Sequence, residues 1–302
     1  MSDVISLLHT EQRNPETQKI DCVSTREMLE MINREDQKVA GCVHAVLDDV
    51  ARAVDIIVPR MRKGGRIVYV GAGTSGRLGY LDASECPPTY GVSPEIVSCV
   101  MAGGRDAVFS AREGVEDCPV QAVEDLKAHG LTTLDTVVAV SASGRTPYCV
   151  GALDYAREIG AGAIAVSCNK DSVMGRHAAI SIEPDTGAEA IMGSTRMKAG
   201  TAQKMILNMI STSVMVQMGR ICSNLMVCLH CKNEKISNRI IRLFQEATGC
   251  KDAAHASDMI ARAQGDTAVA VLMERTGCSY EAALLAMQSL KHFGEAEKSL
   301  AK

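Results

Sequence analysis

Short apolar runs alternate with longer amphipathic stretches up to about residue 183 of the chain. The runs lie near residues 66–70, 96–101, 135–140, 162–168 and 178–183. Helical periodicity fills most of the segments between them, and two more helical runs, Ser24–Asn33 and Val39–Arg62, precede the first. Continuous apolar runs are typical of parallel strands that are buried on both faces. The pattern predicts an α/β fold, with a doubly wound parallel sheet and helices on both faces.

The pattern becomes helical after the last predicted strand. Residues 189–218 are predicted to form a loop and a long, methionine-rich helix, which is typical of a core or of a dimer contact. The motif Glu246–Cys250 recurs as Glu274–Cys278, each time before an alanine-rich helical pattern, and Ser279 is a candidate N-cap for the second. We therefore expect an α/β domain with its N-terminal helices over residues 1–238 and a small helical domain over 239–302.

Composition and charge favour a globular protein that acts on small molecules. The 302 residues are 46% hydrophobic, and 32 basic against 36 acidic residues give a net charge of −4. Neither a Lys/Arg run nor an aromatic platform indicates a nucleic-acid partner. The longest apolar stretch, residues 205–218, is too short and too polar to span a membrane, and the polar start, Met1–Ile5, is not typical of a signal peptide. We expect a cytoplasmic protein without a membrane partner.

Twelve cysteines are scattered through the predicted strands and helices. In a long chain without a leader, this distribution favours reduced, mostly buried thiols over a disulfide framework. Cys222 and the run Cys228–Cys231 suggest zinc, but no second Cys/His pair stands at a finger-like spacing. Cys86 lies beside Glu85 without a base nearby in sequence, so packing explains it better than nucleophilic catalysis.

A glycine-rich turn follows the first predicted strand. The run from Gly71 to Arg77 (Gly-Ala-Gly-Thr-Ser-Gly-Arg) opens toward a helix, so that backbone N–H groups and the positive end of the helix can meet an anion. The spacing of Gly71, Gly73 and Gly76 also matches a dinucleotide-binding fingerprint. However, the next strand runs into Ala102–Arg105 and lacks the acidic residue that holds a ribose hydroxyl. The dinucleotide interpretation is therefore weakened.

A second polar loop follows the third predicted strand. The run from Ser141 to Pro147 (Ser-Ala-Ser-Gly-Arg-Thr-Pro) combines hydroxyls with turn N–H groups, which suits a phosphate monoester. A helix cap with Pro147 in the first turn explains one such loop equally well. Two loops on neighbouring strands favour a ligand crevice at the carboxyl ends of the sheet. A serine hydrolase is not indicated, because Ser141 and Ser143 lack the nucleophile-elbow motif and no histidine is nearby in sequence.

Two glutamates are candidates for proton transfer. Glu85 lies just past the first loop, in a segment that Pro87 and Pro88 are expected to stiffen. Glu116 lies in the acidic cluster 112–117, a composition that is more typical of a solvated helix face than of a catalytic site. Two carboxyl groups can divide proton donation and removal when one is held protonated and the other stays ionised.

The two loops resemble those of sugar isomerase (SIS) domains, in which Thr-Ser after the first strand and Ser-x-Ser-Gly-x-Thr bind the phosphate of a hexose phosphate. The matching positions are Thr74, Ser75, Ser141, Ser143 and Thr146. Within that superfamily, the motifs at residues 71–77, 82–89 and 193–204 are similar to those of the N-acetylmuramic acid 6-phosphate etherase family. The resemblance runs from about residue 21 through the C-terminal helices, and it implies an SIS-type three-layer fold.

The resemblance implies cleavage of the D-lactyl ether of N-acetylmuramic acid 6-phosphate, a cytoplasmic step in the recycling of cell-wall sugars. It implies that Glu85 protonates the departing lactate oxygen and that Glu116 is the base at carbon 2. It also implies a homodimer with the active site near the interface, and neither a metal nor an organic cofactor. Arg196 and Lys198 can bind a carboxylate or a phosphate, but ion pairs explain them equally well, so they stay outside the candidate catalytic set, as does Glu189.

Two alternative functions remain open. An aldose–ketose isomerase would share the phosphate loops and the enolate but would need no acid at an ether oxygen. A non-catalytic sugar-phosphate sensor would bind through the same loops and signal through the C-terminal helices. The position of Glu85 within its motif favours the etherase over the sensor.

Overall fold

A computed structural model describes residues 8–229, 234–290 and 292–301. The strands are β1 (Ile67–Gly71), β2 (Val97–Met101), β3 (Thr136–Ser141), β4 (Gly162–Ser167) and β5 (Ile180–Ile182). The helices of the N-terminal part are α1 (Thr25–Asp36), α2 (Val39–His44), α3 (Leu47–Arg62), α4 (Gly73–Tyr90), α5 (Asp106–Phe109), α6 (Pro119–Ala128), α7 (Pro147–Glu158), α8 (Val173–His177) and α9 (Lys198–Gln217). Those that follow are α10 (Glu234–Thr248), α11 (Ala253–Arg262), α12 (Thr267–Thr276), α13 (Tyr280–Leu290) and α14 (Phe293–Leu300). Short 3₁₀ helices cover His9–Glu11, Pro15–Thr17, Ile20–Cys22 and Val115–Asp117.

The five strands form one parallel sheet in the order β2-β1-β3-β4-β5. Each lies at one of the predicted apolar runs, with its ends shifted by at most two residues. β1, β3 and β4 are buried along their whole length. The sequence reads as continuous apolar runs because side chains on both faces of these strands are covered. The predicted parallel sheet is confirmed.

Alternate residues of β1 show that both faces of the sheet carry helices. Val68 and Val70 pack in a buried cluster with residues of α6 and α7, including Leu126 and Tyr148. Tyr69 points to the opposite face, where its hydroxyl donates to Asp82 of α4 at 2.7 Å. Successive side chains of a strand point to opposite faces, so α4 lies on one side and α6 and α7 on the other. This is the three-layer arrangement that was predicted.

The predicted helical run Val39–Arg62 is two helices rather than one. α2 and α3 are separated at residues 45–46, where Val46 has φ of −118° and ψ of 15°. Around this point i→i+3 bonds appear, from the N–H of Val46 to the carbonyl of Val43 and from the N–H of Asp49 to the carbonyl of Val46. A one-turn tightening of this kind preserves the apolar periodicity closely enough that the pattern predicts one helix.

The described residues pack into two compact units. One comprises the residues up to Ser84 together with Glu95–Ser211, and the other comprises Glu85–Pro94 with the residues from Thr212 onward. Two of the three boundaries fall inside helices, α4 and α9, and the third lies in the connection between α4 and β2. The domain boundary expected between residues 238 and 239 stays a prediction.

The second unit has its own core, in which Phe244, Val269 and Phe293 are fully or almost fully buried. The recurring Thr-Gly-Cys motif ends helices in this unit. The hydroxyl of Thr248 donates to the carbonyl of Phe244 at 2.8 Å, and Thr276 makes the equivalent bond to Leu272 at 2.8 Å. The next glycine is left-handed in both copies, with φ of 76° and 68°. The repeat therefore encodes a helix C-terminus rather than a ligand site.

The candidate cap Ser279 lies directly before α13, and its hydroxyl accepts the N–H of Ala282 at 3.3 Å. The cysteines within the described ranges are not joined by disulfides. No helix in the same part of the chain is long and apolar enough to cross a membrane.

An ion pair joins the starts of two neighbouring strands. Asp135, 1% exposed, precedes β3, and its carboxylate accepts the backbone N–H of Arg66 at 2.8 Å and the guanidinium of Arg66 at 2.8 Å. It also accepts the N–H of Thr132 at 2.8 Å. Burial alone would raise the pKa of Asp135, but the bonds from Arg66 and Thr132 bring it below the usual range.

Replacement of Asp135 by Asn is expected to lower the free energy of unfolding at pH 7 by about 1.5–3 kcal/mol, the value of a hydrogen bond to a charged group. The stability from this carboxylate is complete above an ordinary aspartate pKa, and it is lost as the pH falls through the lowered pKa of Asp135. The difference in the free energy of unfolding between variant and wild type should therefore disappear in acid. Urea unfolding at pH 7 and in acid measures both values.

The control for this prediction is Asp49→Asn in α3. Asp49 pairs with Arg52 at 2.9 Å on the surface, so its loss should cost at most about 1 kcal/mol. Equal costs for the two variants would contradict the importance of the Arg66–Asp135 pair.

Candidate functional site

Three glycines let α4 pack directly against the sheet. A Cβ on Gly71 would lie 2.8 Å from the nitrogen of Gly76, and a Cβ on Gly76 would lie 2.7 Å from Cγ of Met101. One on Gly79 would lie 2.9 Å from Cβ of Tyr69. Only glycine tolerates these approaches, which bring the first turn of α4 to the carboxyl end of β1. The glycine spacing thus serves close helix–strand packing, and anion binding at this turn stays a prediction.

Thr74 and Ser75 lie in the first turn of α4. Ser75 is buried, and its hydroxyl donates to the side-chain carbonyl of Gln203 in α9 at 2.9 Å. Thr74 is half-buried, and its methyl group lies 3.6 Å from the position that a Cβ on Gly200 would take. The start of α9 therefore adjoins the first loop, an arrangement that the spacing of these motifs in sequence does not reveal.

The hydroxyls of the second loop form one cluster. The hydroxyl oxygen of Ser141 lies 2.7 Å from that of Thr146 and 3.3 Å from that of Ser143. The backbone N–H of Gly144 donates to Ser141 at 3.2 Å, and that of Arg145 donates to Ser143 at 3.3 Å. The loop thus gathers all three hydroxyls predicted for it, together with two turn N–H groups.

The second loop is held against the strand that follows it. Gly144 has φ of 68°, and a Cβ there would lie 2.5 Å from that of Ser172 and 2.8 Å from that of Ser167. The amide of Asn169 also donates to the carbonyl of Ala142 at 3.1 Å. These contacts leave the loop little conformational freedom.

Both loops begin at the same edge of the sheet. β1 and β3 are neighbours, and Gly71 pairs with Val140 in their register. Adjacent strands lie about 4.8 Å apart. Because the strands are parallel, the turns that follow them emerge side by side, as the sequence predicted.

Asp82 joins the elements around the first loop. It is 5% exposed and accepts the hydroxyl of Tyr69 at 2.7 Å, the amide of Asn208 at 2.6 Å and the hydroxyl of Ser211 at 3.1 Å. These partners belong to β1 and α9. Asp82 is three residues before Glu85 in the same helix.

The two candidate glutamates lie in different settings. Glu85 is an exposed residue of α4 in the second compact unit. Glu116 is half-buried in the 3₁₀ helix Val115–Asp117 of the first unit. The acidic cluster around Glu116 is therefore not the face of a long helix. The pairing of Glu85 with Glu116 stays a prediction.

The connection that carries Glu116 is tied to α4. Nε of Arg77 donates to the carbonyl of Val108 at 2.8 Å, and Nη2 donates to the carbonyl of Ala107 at 2.8 Å. Farther along, Arg112 pairs with Asp106 at 2.8 Å. The arginine of the first glycine-rich motif thus positions the segment leading to Glu116.

Glu189 and Lys198 are structural groups at the start of α9. Glu189 is fully buried, and its two carboxylate oxygens accept the N–H groups of Lys198 and Ala199, each at 2.9 Å. Burial raises the pKa of Glu189, although these bonds oppose the rise. Lys198 is 3% exposed and donates to Glu35 at 2.6 Å. Of the two interpretations left open for Lys198, the structure supports the ion pair. Arg196 is exposed.

Glu35 is the third member of this buried network. It also accepts Lys38 at 2.5 Å. Burial alone would raise the pKa of Glu35, but the hydrogen bonds from Lys198 and Lys38 bring it below the usual range. The network ties α1 to the start of α9.

Metal ligation finds no support among the residues that the structure describes, which contain no cluster of three or more His, Cys, Asp or Glu side chains suited to an ion. His230 and Cys231 of the Cys/His run lie outside the described residues. Cys86 is a buried thiol at 2% exposure, as expected for packing.

Comparison with known proteins shows which family the chain belongs to. Its sequence is 48% identical over 290 residues to an N-acetylmuramic acid 6-phosphate etherase from Exiguobacterium, covering 96% of this chain and 98% of the relative. It is 50% identical over 266 residues to one from Clostridium beijerinckii, covering 88% and 87%. The chain belongs to the N-acetylmuramic acid 6-phosphate etherase family.

Domain comparisons agree with this family. Residues 120–213 match the SIS domain, and residues 49–157 match the glucokinase regulatory protein N-terminal SIS domain. The solved structure of a phosphoheptose isomerase from Neisseria gonorrhoeae is similar with a TM-score of 0.50 at 13% identity, covering 63% of this chain and 99% of that chain. This likeness supports an SIS fold for the chain.

Replacement of Gly144 by Ala is expected to destabilise the protein more than the same change at Gly160. Both glycines are left-handed, with φ of 68° and 79°, but a Cβ at Gly160 meets no atom within 4 Å. Backbone strain costs each variant about 1–3 kcal/mol. The clash of Gly144 with Ser167 and Ser172 should add about 1–3 kcal/mol. Urea unfolding of the two variants measures the difference, and equal losses would contradict a tightly held loop.

Proposed function

We propose that this protein cleaves the D-lactyl ether of N-acetylmuramic acid 6-phosphate to N-acetylglucosamine 6-phosphate and D-lactate, in the recycling of cell-wall sugars. The observation that carries the proposal is the pair of hydroxyl-bearing loops at the ends of β1 and β3, in a chain that matches etherases along nearly their whole length. The protein is therefore an enzyme of sugar-phosphate chemistry rather than a structural or nucleic-acid-binding protein.

The two loops are proposed to bind the 6-phosphate. Its dianion accepts several hydrogen bonds, and the five candidate hydroxyls are those of Thr74, Ser75, Ser141, Ser143 and Thr146. The first turn of α4 adds backbone N–H groups and the positive end of a helix of 18 residues. Binding at carbon 6 is remote from the ether at carbon 3, so it supplies orientation and not chemistry.

The proposed reaction starts from the open-chain sugar, whose aldehyde makes the proton on carbon 2 acidic. Glu116 removes that proton, and the electron pair forms an enolate. The enolate then expels the lactyl oxygen from carbon 3, and Glu85 donates the proton that converts the departing alkoxide into the hydroxyl of lactate. The product of this half is an α,β-unsaturated aldehyde.

Water completes the reaction. The ionised Glu85 takes a proton from water as the oxygen adds to carbon 3, and Glu116, after its proton has exchanged with solvent, gives a proton to carbon 2. Both carboxyl groups end in their starting states, and the net change is hydrolysis of the ether. General acid–base assistance contributes a factor of about 10²–10⁴ to such steps.

The quaternary state and the compartment are part of the same proposal. We propose a cytoplasmic homodimer with its active site near the interface, as the family resemblance implies. Large apolar side chains exposed on the first unit support a protein contact. Among these are Phe109 at 84%, Val120 at 63% and Met192 at 60% exposure.

The reaction is tested by incubating the protein with N-acetylmuramic acid 6-phosphate in deuterated water. We expect release of D-lactate and one deuterium at carbon 2 of the sugar product by mass spectrometry. Isomerisation of a hexose 6-phosphate that has a hydroxyl on carbon 2, without lactate release from N-acetylmuramic acid 6-phosphate, would indicate an aldose–ketose isomerase. Binding without any turnover would indicate a sensor, and lactate without deuterium would contradict the elimination route.

The same assay should distinguish the proposed roles of the two glutamates. Glu116→Gln is expected to lose both lactate release and deuterium exchange at carbon 2, by about 10²-fold or more, because the base acts first. Glu85→Gln should lose lactate release but retain some exchange. The exposed neighbour Glu113, changed to Gln, is the control and should stay near wild type. Near-normal lactate release by either glutamate variant would remove that residue from the mechanism.

A further inference from the structure

Gln203 has a buried amide that the packing of α9 leaves half-satisfied. The residue is 1% exposed, and its carbonyl oxygen accepts the hydroxyl of Ser75 at 2.9 Å. Its amide nitrogen is buried and has no hydrogen-bond partner within the described residues. Buried amide groups of this kind are rare in native proteins, and each one calls for a physical reason.

The position of this amide links it to the phosphate loops. Ser75 is in the first turn of α4, and Gly200, one turn before Gln203 in α9, lies beside Thr74. The start of α9 is itself held by Glu189 through two backbone bonds at 2.9 Å. Gln203 is thus placed by a buried network against the hydroxyl that is proposed to meet phosphate.

In its observed direction, the hydrogen bond from Ser75 to Gln203 prevents the Ser75 hydroxyl from donating to a phosphate. A serine hydroxyl carries one proton, and here that proton is given to Gln203. A phosphate dianion accepts hydrogen bonds and donates none. Ser75 can therefore serve the phosphate only if its proton is released from the carbonyl of Gln203.

We propose that Gln203 is a positioning residue that reverses the Ser75 hydrogen bond when a sugar phosphate binds. The carboxamide of Gln203 rotates by about 180° about χ3, and both orientations fit the same space. Its nitrogen then donates to the oxygen of Ser75, and the hydroxyl proton of Ser75 turns to the phosphate. The new bond to a charged acceptor is roughly twice as strong as the neutral one that it replaces. This inference rests on the proposed function of the loops.

Two substitutions separate this mechanism from simple packing. Gln203→Glu keeps an acceptor for Ser75 but has no N–H to donate, so the hydroxyl proton stays captured. We expect KM to rise about 10- to 100-fold with kcat changed less than threefold. Gln203→Met keeps the volume and only frees the hydroxyl to rotate, and we expect a rise in KM of about two- to tenfold. The exposed Gln18, changed to Glu, is the matched control and should be unchanged.

A double-mutant cycle with Ser75→Ala tests whether Gln203 acts through Ser75. In the Ser75→Ala background, Gln203→Met should have no further effect on KM. A full Met effect in that background would overturn the inference, as would equal KM values for wild type and Gln203→Glu. Loss of kcat without a change in KM would also overturn it, because it would indicate a structural or chemical effect.

The same measurements keep this inference distinct from the proposed function. If Ser75→Ala alone leaves KM unchanged, the phosphate assignment of the first loop fails, and the inference fails with it. If Ser75→Ala raises KM while both Gln203 variants behave as wild type, the phosphate site stands and only the control by Gln203 fails. If Gln203→Glu does not fold, the effect of Gln203→Met on KM in the wild-type and Ser75→Ala backgrounds still tests the inference. Gln203→Met is expected to fold, because an apolar replacement of similar shape removes an unsatisfied buried amide.

Discussion

The buried carboxylate of Asp82 is the interaction around which the candidate site is arranged. It accepts hydrogen bonds from Tyr69 of β1 and from Asn208 and Ser211 of α9, so one side chain joins the sheet to two helices. A buried carboxyl group needs hydrogen bonds in place of the water that it has lost, and removal of a donor leaves one of its oxygens unsatisfied at a cost in stability.

A second buried network sets the start of α9. Glu189 caps the helix through two backbone N–H groups, and the side chain of Lys198 reaches Glu35 of α1. The positive end of α9 is therefore already occupied by the protein's own carboxylate. The first turn of α4 has no such acidic residue. Of these two helix ends near the first loop, the electrostatic argument thus favours α4 for an anionic ligand.

Much of the fold follows from local pattern, because strands buried on both faces must be apolar throughout. The glycine and hydroxyl motifs likewise report local needs, a close approach at Gly71 and a tight turn at Gly144. The partners of Asp82 and Ser75 in α9 lie 126 to 129 positions away in sequence, and periodicity says which face is buried but not what it meets. Acidic composition alone also left Glu116 open, since a 3₁₀ turn and a solvated helix face have similar residues.

The contact between β1 and α4 has a consequence for how such a protein can diverge. Gly71, Gly76 and Gly79 remove side chains from the junction, so the loop offers an anion chiefly main-chain groups and a few hydroxyls. Main-chain groups are the same in every sequence, and substitution cannot easily retune them. If the loop binds phosphate as proposed, a lineage that changes its preferred sugar must do so through residues elsewhere, while the phosphate contacts are inherited nearly unaltered.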